Sequence, residues 1–78
     1  MRVCVDVSEY WPNGLSLNAA YEELLIQGRK IDRRTLSNAK AGTLTKSEFT
    51  TLIKLRDWLR DVTKNPELKI DDLLKEKD

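Results

Sequence analysis

The sequence predicts a small, mainly α-helical single domain opened by a short β-strand. Three observations carry this expectation. Phe49–Val62 repeats its apolar residues with a helical period, and Asp32–Ala41 is bounded by residues that start and stop helices. Val3, Val5 and Val7 alternate with Arg2, Cys4 and Asp6, as strand residues do. At 78 residues the chain is one domain with a small core.

The strand, residues 2–7, needs a partner from this chain or from a second copy. Ser8–Trp11 allows one helical turn, and Pro12-Asn13-Gly14 marks a reversal. Leu15–Lys30 reads as helix, with Leu17, Ala20, Tyr21, Leu24, Leu25 and Gly28 on one face. Gly28 suits the helix end, where the cations after it complement the dipole. Asp32 is a good N-cap for Asp32–Ala41, Ile31 and Leu36 have the spacing of a hydrophobic staple, and Gly42 closes the segment. Thr45-Lys46-Ser47-Glu48 fits a capping box, so the next helix is expected from Thr45 to Val62. Its inward face is Phe49, Leu52, Ile53, Leu55, Trp58, Leu59 and Val62. Thr63–Lys69 is a loop around Asn65-Pro66, Ile70–Lys75 a short last helix, and Glu76-Lys77-Asp78 a fraying end.

The net charge of +1 conceals a segregation. Arg29, Lys30, Arg33, Arg34, Lys40 and Lys46 lie in one stretch whose only anion is Asp32. The remaining chain has eight cations and twelve anions. One polyanion-facing patch on an acidic body is the reading this distribution favours, against a merely solvated basic face. The absence of histidine removes the usual general base and the commonest metal ligand. Glu22-Glu23 and Asp71-Asp72 are adjacent on helices and do not face one another. The lone cysteine, Cys4, has no activating base near it in sequence and reads as a packed thiol. These features argue against an enzyme and give no reason to expect a metal or cofactor. No segment has the length and apolarity of a signal peptide or membrane span.

The informative conflict lies in Asp32–Ala41. It is firmly capped, yet only Leu36 and Ala39 point inward. A helix fixed at its start and carrying Arg33 and Arg34 in its first turn suits a DNA major groove. Arginine can donate two hydrogen bonds to guanine, and Asn38, four residues after Arg34, can pair with adenine. Ser37, four residues after Arg33, can contact a base or a phosphate. Thr35, Arg29, Lys30, Lys40 and Lys46 are then expected on phosphates, setting register without reading sequence.

Ile31-Asp32-Arg33-Arg34-Thr35-Leu36-Ser37-Asn38-Ala39-Lys40-Ala41-Gly42 resembles the recognition-helix stretch of the Cro/lambda-repressor-like (XRE-type) helix-turn-helix family. Thr51-Leu52-Ile53-Lys54-Leu55 resembles that family's following helix, and Ile70-Asp71-Asp72-Leu73-Leu74 its closing helix. The segment from Ser16 to Ile31 is longer than the family pattern. The resemblance implies a compact bundle of four to five helices that regulates transcription, usually as a dimer on a palindromic operator. By position it makes Arg33, Arg34, Ser37 and Asn38 base-facing.

The expected function is therefore sequence-specific binding of double-stranded DNA by a homodimer reading half-sites about one helical turn apart. Paired Val3–Val7 strands, or exposed parts of Trp11 and Trp58, are the candidate dimer surfaces. The alternative is a protein-interaction module on the same fold: an antitoxin, an anti-repressor or a phage regulatory subunit. Either role implies a cytoplasmic, bacterial or phage-encoded chain, nucleoid-associated when bound to DNA.

Overall fold

A computed structural model describes residues 2–77 and contains three α-helices and one two-stranded sheet. The elements are β1 (Arg2–Val5), α1 (Leu17–Ile26), α2 (Arg33–Ala41), α3 (Phe49–Thr63) and β2 (Leu74–Lys77). Short 3-10 turns at Ser8–Tyr10 and Ile70–Leu73 join them. The mainly α class and the N-terminal strand match expectation. The four to five helices do not: there are three α-helices among the described residues, and the loss of the last expected one has a physical cause.

The last expected helix, Ile70–Lys75, becomes a 3-10 turn followed by a strand. The Asp72 carboxylate accepts the Lys69 N–H at 2.9 Å and tightens the turn. The chain beyond it then pairs antiparallel with β1, Val3 opposite Glu76 and Val5 opposite Leu74. Leu74-Lys75-Glu76-Lys77 has good helix formers, but the unpaired ladder of β1 decides its conformation. Glu76 and Lys77 are thus strand residues rather than a frayed end, and Asp78 lies outside the described residues. β2 of the same chain, rather than a second copy, pairs with one edge of β1. The Val5 N–H, 2.7 Å from the Leu44 carbonyl, closes part of the other.

Helix limits shift for local reasons. Ser16 Oγ accepts the Ala19 N–H at 3.1 Å, so α1 opens at Leu17 rather than Leu15. Gly28 takes φ +73°, and the Arg29 N–H reaches back to the Leu24 carbonyl at 2.8 Å, ending the helix before Lys30. The capping box at Thr45 does not form. Leu44 is buried and bridged to Val5, residues 45–48 carry no regular structure, and α3 starts at Phe49.

The core gathers Val5, Val7, Ala20, Leu24, Ile31, Leu36, Ala39, Leu44, Leu55, Leu59, Leu68 and Leu73 around Trp58. Trp11 meets Trp58 edge-on, with ring centroids 5.3 Å apart. Trp58 is wholly buried, which removes it as a dimer surface, whereas Trp11 stays partly exposed. Of the residues expected on buried helix faces, Leu25, Gly28 and Phe49 are exposed. Ile53 is half-buried but absent from the residues packed on the core.

The two termini clasp α2. Asp6 accepts from the Ser8 hydroxyl at 2.6 Å, from the Ser8 N–H at 2.9 Å and from Lys77 Nζ at 3.0 Å. The Ser8 hydroxyl does most to bring the Asp6 carboxyl down to about 2, against the opposing effect of burial. A depressed carboxylate stabilises the fold fully above the ordinary value of 3.8 and loses that contribution as pH falls through 2. The contribution near neutrality is about 2 kcal/mol. Urea midpoints measured from pH 6 down to pH 2 should drop more steeply for the wild-type chain than for Asp6→Asn.

Candidate nucleic-acid interface

α2 is held at both ends. At its start, Asp32 Oδ2 accepts the backbone N–H groups of Arg34 at 3.1 Å and Thr35 at 3.3 Å. Ile31 and Leu36, the residues of the expected staple, are both buried. At its end, Gly42 adopts φ +77° and the Thr43 N–H returns to the Asn38 carbonyl at 2.9 Å. The Val7 N–H bonds the Ala39 carbonyl at 3.0 Å, and Lys77 Nζ bonds the Gly42 carbonyl at 2.7 Å. Last-turn carbonyls that a helix leaves without partners are thereby satisfied by the two terminal strands and their extensions. A helix fixed in this way presents its outer side chains from a rigid base.

With Leu36 and Ala39 buried, the helical step of about 100° per residue puts Arg34 and Ala41 on the outermost line, between Ser37 and Asn38. Arg34 and Ala41 are exposed; Ser37 and Asn38 are half-buried. Arg33 and Lys40 occupy one flank of this strip. The Arg33 guanidinium lies over the Tyr21 ring, 4.8 Å from its centroid, and Lys40 Nζ lies 5.1 Å from that of Trp11. Thr35 lies on the other flank, where it lines an open groove with Lys30, Asp32, Lys46, Ser47, Glu48 and Thr51.

The expected site residues therefore divide into an outward strip (Arg34, Ser37, Asn38), a cationic flank (Arg33, Lys40) and an opposite groove (Lys30, Thr35, Lys46). Arg29 stands apart. Its guanidinium bonds Asp61 of α3 at 2.9 Å and Gln27 at 3.0 Å, so a phosphate there must compete with an existing ion pair. Among the described residues, Lys30, Arg33, Arg34, Lys40 and Lys46 join no ion pair, whereas Arg29, Arg56, Arg60, Lys75 and Lys77 do. Arg2, Lys54, Lys64 and Lys69 are also unpaired among the described residues, so five of the nine free cations gather around α2.

Three contributors escaped the sequence reading. Tyr21 and Trp11 carry the flanking cations and limit where they reach. Nothing in the local sequence signals this, because both aromatics precede the basic stretch. Ala41 offers a methyl on the outer line, suited to apolar contact with thymine.

No known protein family, curated protein or solved structure matches this chain.

Proposed function

We propose that the chain is a sequence-specific regulator that binds double-stranded DNA as a homodimer, with α2 in the major groove. α1 and α2 are read as a helix-turn-helix pair within a lambda-repressor-like arrangement. Support comes above all from one observation: the outer strip of α2 is polar and rigidly held, and free cations border it on both flanks. Arg34, Ser37 and Asn38 read base edges. Arg33 lies at the border of the strip and reaches a base edge or the adjacent phosphate. Thr35, Lys30, Lys40 and Lys46 grip the two strands of the backbone, and Arg29 joins them when it leaves Asp61. Phosphate contacts of this kind set register, while base contacts specify.

Selection of bound duplexes from a random pool tests the reading. The expected result is an enriched site with two-fold symmetry and half-sites about one helical turn apart, bound more weakly as salt rises. Recovery of no enriched sequence contradicts it.

A protein partner is the second reading. The observation favouring it is the exposed pair Leu25 and Ile26 at the end of α1, Ile26 being 86 % exposed. Co-purification that Ile26→Asp abolishes and Arg34→Ala leaves intact would favour that reading.

A further inference from the structure

We propose that a second copy of this chain docks on the outward side of α3, around Phe49 and Ile53, in a two-fold antiparallel pairing. The inference takes the dimer from the DNA-binding reading and adds the surface that builds it.

α3 buries Leu55, Trp58 and Leu59, with Leu52 and Val62 at the margins. The helical step then leaves Phe49, Ile53 and Arg56 in one row on the side away from the core. Phe49 is 66 % exposed, a large apolar ring in water at the first position of a helix.

The row is complementary to itself. Tyr10, Trp11 and Tyr21 each have a cation of this chain over the ring: Lys75, Lys40 and Arg33. Phe49, more exposed than these three, has none among the described residues. Antiparallel packing of two α3 helices about Ile53 brings Arg56 of each copy onto Phe49 of the other, and the two Ile53 side chains together at the axis. Arg56 and Arg60, the next residue of the row, both lie against Asp57, at 2.9 and 4.0 Å, which offsets part of the positive charge that two such rows bring together. Self-docking at Leu25 and Ile26 instead brings exposed Glu22 carboxylates of both copies to one surface.

The seam is narrow, which places it among weak interfaces that form at high concentration and are completed on DNA.

Sedimentation equilibrium over a wide concentration range tests the seam. The wild-type mass should rise from 9.0 kDa towards twice that value. Phe49→Asp and Arg56→Glu should each weaken association by about tenfold or more, with helicity unchanged. Aspartate is well tolerated in the first turn of a helix, so Phe49→Asp should fold normally. A wild-type chain that stays at 9.0 kDa throughout, or a Phe49→Asp chain that associates as strongly as wild type, overturns the proposal. Arg33→Ala with Arg34→Ala should associate normally. If Phe49→Asp blocks association yet no duplex is ever bound, the seam stands and the DNA-binding reading falls.

Discussion

Gly42→Ala should destabilise the fold by about 2–4 kcal/mol, measured by urea denaturation. Two effects add. The residue sits at φ +77°, where a side chain costs about 1–2 kcal/mol. A Cβ there also falls 2.6 Å from Asp6 Oδ2 and 2.6 Å from Lys77 Nζ. The lysine tip can swing away, but the Asp6 carboxylate is held by Ser8 and has less room to yield. Admitting the methyl therefore breaks the Lys77 bridge to Asp6 and to the Gly42 carbonyl. Gly28→Ala is the control: φ is +73° there, but nothing lies within 4 Å of the added carbon. It should show the backbone cost alone. Equal losses in the two variants would mean that the clasp on α2 contributes nothing.

Arg33→Ala combined with Arg34→Ala should lower both affinity for a selected duplex and its discrimination from random DNA. Separately, the two changes should differ in kind. Arg34 is outermost on α2, so its loss should reduce discrimination by about 1–3 kcal/mol, the worth of one bidentate base contact. Arg33 is drawn towards Tyr21 at the flank, so its loss should weaken both duplexes and lower the salt dependence. Competition binding at two salt concentrations separates these outcomes. An unchanged preference in the double variant removes α2 as the reading element. Neither arginine is buried or in an ion pair among the described residues, so the loss should appear without a change in melting temperature.

α2 was legible in the sequence because its determinants are local. Asp32, Ile31, Leu36 and Gly42 fix both ends from within a few residues: the structure retains the Asp32 cap and the Gly42 stop and buries both Ile31 and Leu36. The chain termini were not legible in the same way. Leu74–Lys77 carries a helical composition, and only the vacant ladder of β1, more than sixty residues away, makes it a strand. Phe49 and Ile53 fit a helical period and were therefore read as core. The core side of α3 is narrower than its apolar periodicity, because Leu55, Trp58 and Leu59 already fill the space. Residue spacing identifies which side chains share a face, but not whether another element covers that face. The site shows the same division: the cations were visible as a cluster, whereas the ring beneath Arg33 and the acid holding Arg29 come from other helices.

Backbone amide shifts recorded while a selected duplex is titrated into the chain test most directly whether α2 is the DNA-reading element. The largest changes should fall at Arg34, Ser37 and Asn38, with smaller ones at Lys30, Thr35, Lys40 and Lys46, and none along Thr63–Lys69. Changes centred on Leu25 and Ile26, with α2 unmoved, would contradict it.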